Sequence, residues 1–592
     1  MKFLGDINPD DYMFVNAIYN RKNDKNNSDY LYVIYKNRKT GEKFVKTIKE
    51  PTMDYYVTKE EYRDYDYHKD FMPLDKLELK TARYKNISFD VAKESGPDYE
   101  NYIKNAISSG NYRDIGKIHG LCNNVFGSDI PIETWYKIQY QIEYGSDNVI
   151  YPITRTFLDI EVDGIDIEGF PKPGECPINA VTMIDDLTKT SYTFLLRNPR
   201  NPQIQEFEDS IEEFKKELAN DFDDTYGKIE YKFFMYDEDK EIDLIRDLFK
   251  LINTLKRDFC LIWNQNFDIP FIIERIHTLG YEHESIVCHK DFETKSAFFV
   301  TSKANMFAEK TDKFICNSYT RFLDQLVVYS GLRKGGGTIR SHKLNDIGKK
   351  EVNDAKLDYS EDADIKTLPY KNYKMFVKYG IKDVLLQLGI DNKTQDVENL
   401  YLRTLKNATP YERAFKQTTF LKNAAYISFF KQGYVICNNK PFDENNYSDN
   451  IIKTMFDESD GTDDDDEDEQ FEGAIVADPE LNGYNGIKIF GKSSKYVYDY
   501  VTDEDFAQMY PNVIFVFNVC GSTLIGKLTV DLDHKTVVKY YDLNEKEISR
   551  FDAGKEFIEA YLSDNLGLLG EIFFGLPPID ELLEGIGEEY GL

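Results

Sequence analysis

A chain of 592 residues is too long for one hydrophobic core, and the usual domain size points to about three or four domains. It is 41% hydrophobic and 14% aromatic, has no apolar run of bilayer-spanning length and no signal-peptide core after Met1, and is therefore expected to be soluble, with no membrane partner. Its formal net charge of −32 excludes a nucleic-acid partner unless that charge is segregated, because phosphate contacts need Lys and Arg. Part of it is: Asp457–Glu469 places ten acidic residues in thirteen, the composition of a solvated, disordered loop. The seven cysteines, at 122, 176, 260, 288, 316, 437 and 520, form no Cys-x-x-Cys pair, which fits reduced thiols in a cytoplasm and argues against zinc.

In chain order, residues 1–150 mix short strand-like pieces (Tyr30–Tyr35, Lys43–Ile48) with Asn-, Lys- and Asp-rich loops. They carry no catalytic constellation and are expected to form an α+β accessory domain, with Lys80–Lys85 available to a template. The organising stretch is Phe157-Leu-Asp-Ile-Glu-Val-Asp-Gly164, whose apolar/acidic alternation predicts a strand with Asp159 and Glu161 on one face. Two adjacent carboxylates repel unless a cation lies between them, and a hard divalent ion is the usual remedy. A solvated strand face is the bland alternative.

Strands predicted at Ala180–Met183 and Ser191–Leu196 alternate with amphipathic stretches at Ile211–Leu218 and Glu241–Leu255, the rhythm of an α/β domain with a central sheet. Leu261-Ile-Trp-Asn264 reads as a strand running into Asn264, with Asp268-Ile-Pro-Phe271 at the entry to a helix. Ser296–Val300 and Lys313–Cys316 read as the arms of a hairpin, and Arg333 with His342–Lys350 as a basic patch open to a DNA backbone. Met375–Leu388 has helical spacing, so Tyr379 and Asp383, four apart, share one face and could present a phenol and a carboxylate to a metal-bound water. Each pair alone is an ordinary surface feature.

Asp159-x-Glu161, Asn264-x-x-Phe-Asp268 and Tyr379-x-x-x-Asp383, in this order, resemble the three exonuclease motifs of the DnaQ-like proofreading domain of family B DNA polymerases. The resemblance implies an α/β multidomain chain. A ribonuclease-H-like 3′→5′ exonuclease domain with a mixed sheet at 151–395 would follow the accessory domain, and a helical connector at 396–470 would lead to part of a polymerase palm at 471–592. It further implies that Asp159, Glu161, Asp268 and Asp383 hold two Mg2+ or Mn2+ ions and that Tyr379 orients the attacking water. The Asn264 to Asp268 interval is one residue shorter than in many relatives.

Downstream, Phe471-Glu-Gly-Ala474 is similar to the segment between exonuclease and polymerase domains. Asp505-Phe-Ala-Gln-Met-Tyr-Pro-Asn512 is similar to polymerase motif A, with Gln508, Met509 and Asn512 as departures. By that resemblance Asp505 ligates magnesium on an incoming deoxynucleoside triphosphate, the backbone at Phe506 faces the phosphates, and Tyr510 crowds the ribose 2′ position. The order and spacing look closest to the replicative polymerases of tailed phages, which implies DNA primer-template as partner, a sliding clamp as a further one, and a host cytoplasm as the setting.

The sequence contains neither a Lys-x-x-x-Asn-x-x-Tyr-Gly helix nor a Tyr-Gly-Asp-Thr-Asp hairpin, which in this family complete the triphosphate site and supply the second polymerase aspartate. The expectation is a polymerase divided over two polypeptides, with Phe557–Leu583 as a docking region for a second chain. A truncated product is the competing explanation, and a stand-alone exonuclease or a non-catalytic DNA-binding subunit are the alternative functions.

Overall fold

The computed structural model describes residues 7–21, 28–63, 71–109, 112–145, 152–302, 312–333, 341–359, 364–414 and 416–439, and short strands between 488 and 552. The chain divides into two units, residues 1–467 and 468–592. Of the second unit the described parts are a Lys488–Ile489/Lys492–Ser493 ladder and an antiparallel meander of Lys527–Asp531, Val537–Tyr541 and Glu547–Asp552. Asp505, Phe506, Tyr510, the acidic run 457–469 and Phe557–Leu583 lie outside the described residues. No helix among the described residues is long and apolar enough to cross a membrane.

The first unit is built around a six-stranded mixed sheet. Its strands lie in the order Glu230–Tyr236, Thr190–Leu196, Ile178–Asp185, Arg155–Val162, Phe259–Ile262 and Arg321–Asp324. Only Ile178–Asp185 runs antiparallel to its neighbours. Alternation along the Arg155–Val162 strand decides which layer each residue joins. Phe157 packs with the helices Ile211–Tyr226 and Tyr373–Thr394, through Phe214, Leu218, Val377 and Val384. Leu158 and Ile160 pack with the helices Glu241–Leu255 and Gln265–Thr278 on the other face. Both faces are thus covered, as parallel strands require, and the predicted elements at 180–183, 191–196, 211–218 and 241–255 fall inside observed ones.

One boundary differs. The helix expected to open at Asp268 begins at Gln265, so Pro270 sits inside it and removes one helical hydrogen bond. The earlier start is fixed from outside: the Asp324 carboxylate accepts from the backbone N–H groups of Asn264 at 3.2 Å and Gln265 at 3.0 Å. Asn264, at φ 66°, makes the left-handed turn that joins strand to helix, a conformation asparagine tolerates.

The N-terminal region forms two three-stranded sheets. One is Tyr12–Asn20, Tyr30–Asn37 and Lys43–Lys49; the other orders Leu77–Arg83, Thr52–Thr58 and Val125–Phe126. Their core includes Phe14, Leu31, Tyr35, Trp135 and Ile138, and it is completed by residues from far along the chain. Tyr434–Ile436 pairs antiparallel with Phe71–Pro73, and the helix Gln417–Lys431 inserts Tyr426 and Ile427. Leu400, Tyr401, Leu405 and Tyr411 of the same connecting region belong instead to the core under the large sheet.

The predicted hairpin arms pair antiparallel, Ala297 opposite Cys316. In the expected basic patch, Arg333 is already engaged, donating to Asp396 at 2.8 Å and lying 3.7 Å over the Tyr329 ring. Lys350 donates to the Tyr329 hydroxyl at 3.1 Å.

Candidate metal centre

The Arg155–Val162 strand presents Asp159 and Glu161 on one face, where the Tyr373–Thr394 helix crosses it. Helical spacing aims Tyr379 and Asp383 at the same spot. One carboxylate oxygen from each of Asp159, Glu161 and Asp383 lies within 4.8 Å of the others. Asp268 arrives differently. The Phe259–Ile262 strand ends opposite Leu158, leaving the N–H of Ile160 without a strand partner on that side, and Asp268 Oδ1 accepts it at 3.3 Å. This puts the Asp268 carboxylate against the backbone between Asp159 and Glu161, beside the triad rather than within its tightest grouping.

Burial and mutual repulsion dominate the electrostatics. The Asp159 carboxyl is pushed up to about 7, first by burial and then by Asp383, with Lys356 opposing. Glu161 is held well above the usual carboxylate range by burial and by Asp159 and Asp383. Burial and the Asp159 charge raise Asp268 likewise. Asp383 is raised by burial despite the opposing Lys356 ammonium, and its Oδ1 is buried with no hydrogen-bond partner. An acceptor orphaned among three more carboxylates is a site short of positive charge. Oxygen-only donors at this spacing fit a hard divalent cation such as Mg2+ or Mn2+.

Two participants carry no sequence signal of comparable strength. Lys356, from the loop after the helix Leu344–Val352, donates to Asp383 Oδ2 and, at 2.9 Å, to the Tyr379 hydroxyl. Nothing in its local sequence marks it. Asp324 caps the helix Gln325–Leu332 through the N–H groups of Leu326 and Val327 while also holding the turn at Asn264. Its place before an apolar run is a helix-start signal, but only for its own helix. Burial pushes its carboxyl up to about 6. Tyr379 stacks edge-on against Tyr359 at 5.1 Å, which fixes the phenol facing the acids.

The raised Asp159 carboxyl has a consequence for stability. The folded chain holds this proton more tightly than an unfolded carboxyl near 4, so the stability it contributes is complete below about pH 4 and lost as pH rises through 7. In metal-free protein, Asp159→Asn is therefore expected to stabilise the fold at pH 8 by about 1–2 kcal/mol, discounted because the group is partly exposed, and to change little near pH 4. Denaturant melts in EDTA at both pH values check this; a destabilised variant at pH 8 would show that the carboxylates do not repel.

Convergent acidic side chains on an interior strand of a mixed α/β sheet, with a phenol beside them, are a donor set that fits the metal-dependent phosphoryl-transfer class of site. Residues 97–347 match the family described as DNA polymerase family B, exonuclease domain, and residues 426–573 match DNA polymerase family B. The chain belongs to the family B DNA polymerases. It is 28% identical over 276 residues to the DNA-directed DNA polymerase of Escherichia phage RB69, a match covering 45% of this chain and 29% of that protein. It is 22% identical over 355 residues to the DNA polymerase delta catalytic subunit of Candida albicans, covering 59% and 29% respectively. The chain thus matches less than a third of the length of these relatives. Asp159, Glu161 and Asp268 fall inside the exonuclease match and Asp505, Phe506 and Tyr510 inside the polymerase match, whereas Tyr379 and Asp383 lie beyond residue 347 and join the set by geometry.

Proposed function

We propose that this chain is the exonuclease-bearing portion of a replicative DNA polymerase and removes nucleotides from the 3′ end of a DNA primer. The observation that carries the reading is the gathering of Asp159, Glu161 and Asp383 within 4.8 Å, with Asp268 on the Ile160 amide. Asp159, Glu161, Asp268 and Asp383 would hold two divalent ions, which when bound supply charge stabilisation to the attacking and leaving oxygens. Tyr379 accepts a hydrogen bond from Lys356 and hydrogen-bonds the Asp383 carboxylate, which aims its hydroxyl into the acidic cluster, where it would orient a water or a phosphate oxygen. Lys356 keeps the phenol and the Asp383 carboxylate in register and offsets part of the negative charge that repels a DNA backbone.

The downstream segment is proposed to contribute Asp505, Phe506 and Tyr510 to a nucleotidyl-transfer site for deoxynucleoside triphosphates. One aspartate cannot hold a two-ion arrangement, so extension needs the second aspartate and the triphosphate-binding helix from outside this sequence. Full-length chain with Mg2+ is expected to shorten a 3′-labelled primer on a template, to stop in EDTA, and to leave the primer unextended when triphosphates are added. No magnesium-dependent shortening would overturn the nuclease reading, and extension by this chain alone would overturn the incomplete polymerase site.

A further inference from the structure

Apart from the carboxylate centre, two imidazoles and two carboxylates gather at the C-terminal end of the helix Gln265–Thr278. His277 lies on that helix one turn after Glu274, and His283 and Glu284 open the short helix His283–Val287. His277 Nε2 and His283 Nδ1 are 2.8 Å apart, and the rings meet edge to face with centroids at 4.8 Å. Glu284 Oε2 is 3.3 Å from the same His283 Nδ1, and Glu274 Oε1 is 3.7 Å from His277 Nδ1.

One hydrogen bond sets the tautomers. His283 Nε2 lies 2.8 Å from the Ala297 carbonyl, which only accepts, so Nε2 carries the proton and Nδ1 of the neutral ring is a bare lone pair. That lone pair takes the His277 Nε2 proton, which leaves His277 Nδ1 bare in turn. Each neutral ring thus turns a lone pair toward a carboxylate oxygen, and the cluster is short of positive charge. A proton or a metal ion supplies it. Two features favour the metal. An N–H donated to a backbone carbonyl is how a metal-ligating histidine is held in tautomer and orientation. The His277 side chain, 40% exposed, gives an ion a way in.

We propose that His277 Nε2 and His283 Nδ1 bind one divalent transition-metal ion such as Zn2+ or Cu2+, with the Glu284 carboxylate as third ligand. Imidazole nitrogens suit these ions better than Mg2+, which sets the site apart from the oxygen-only carboxylate centre. The two nitrogens are in place. Among the described residues only the carboxylate triad has three ligand atoms all within 4.8 Å, so Glu284 reaches the ion by turning its partly exposed side chain. The bound ion ties the helix that carries Asp268 to the hairpin arm at Ala297. Histidines six positions apart leave no mark in the cysteine spacing that argued against zinc. None of the four residues belongs to the carboxylate centre, so the inference stands apart from the nuclease reading.

The test is titration calorimetry of the full chain carrying Asp159→Ala and Glu161→Ala, which removes the carboxylate centre, with Zn2+ as the probe and excess Mg2+ present to fill oxygen-only sites. Saturable 1:1 binding is expected, weakened about tenfold or more by His277→Gln and by His283→Gln, and less by Glu284→Gln. His277 is the more exposed of the two rings, so its variant keeps the fold and carries the decisive comparison. One equivalent of Cu2+ is expected to show two imidazole nitrogens by paramagnetic resonance, and one in His277→Gln. No Zn2+ binding in the presence of Mg2+, or binding that His277→Gln leaves unchanged, overturns the proposal and leaves the pair as imidazoles that take up a proton instead.

Discussion

Replacing Asp159 and Glu161 together by alanine is expected to lower magnesium-dependent 3′-end shortening by on the order of 10³-fold, while making the metal-free protein more stable at neutral pH. The two effects share one cause. These carboxylates are pushed up by burial and by neighbouring acids, Asp383 acting on both and Asp159 on Glu161, so they strain the metal-free fold at neutral pH, and a bound cation would relieve that strain. After their removal Asp383 is left paired with Lys356, and Asp268 with the Ile160 amide, so each remaining carboxylate keeps a partner and loses the repulsion of its removed neighbours. Rate measurements on a 3′-labelled primer, paired with melts in EDTA, read both. A variant keeping more than about a tenth of the activity would place the chemistry elsewhere, and one that lost stability would show these side chains to be structural.

Asp258→Ala is expected to destabilise the first unit by about 3–5 kcal/mol. Asp258 lies just before the Phe259–Ile262 strand and is paired with two lysines of the N-terminal sheet, Lys36 at 2.6 Å and Lys43 at 2.8 Å, all three side chains at most 2% exposed. It also accepts from the backbone N–H and the hydroxyl of Thr154, at 2.8 and 2.9 Å. Burial alone would raise its carboxyl, but the two ammonium groups outweigh burial and hold it at about 2, whereas burial pulls Lys43 down to about 8. Removing the acid strands two buried cations where the accessory sheet meets the large sheet. Denaturant unfolding of the variant measures the loss. A triple replacement, Lys36→Met, Lys43→Met and Asp258→Leu, is expected to recover most of it, since the penalty comes from unpaired charge and not from lost volume. An unchanged midpoint for Asp258→Ala would mean that water reaches the lysines.

What could be read in advance follows the reach of local periodicity. Alternation on a strand put Asp159 and Glu161 on one face, and helical spacing put Tyr379 with Asp383; these are relations between residues two and four apart, and backbone geometry alone enforces them. Strands and helices of the large sheet were legible for the same reason, because each buries one stripe of its own sequence. Pro270 was misplaced by its local rule, which puts proline in a first turn; a carboxylate 59 residues away from Gln265 started the helix earlier.

The amino-acid sequence by itself determined the acidic pairs, the mixed α/β character of their domain and the order of the motifs. Only the tertiary structure decided that Lys356 bridges Tyr379 and Asp383, that Asp268 lodges on the Ile160 amide, and that residues 417–436 close the N-terminal core. Those relations join residues of different elements, up to hundreds of positions apart, and no spacing rule reaches them. They follow from which faces remain to be buried, and which charges remain to be paired, once the sheets have formed.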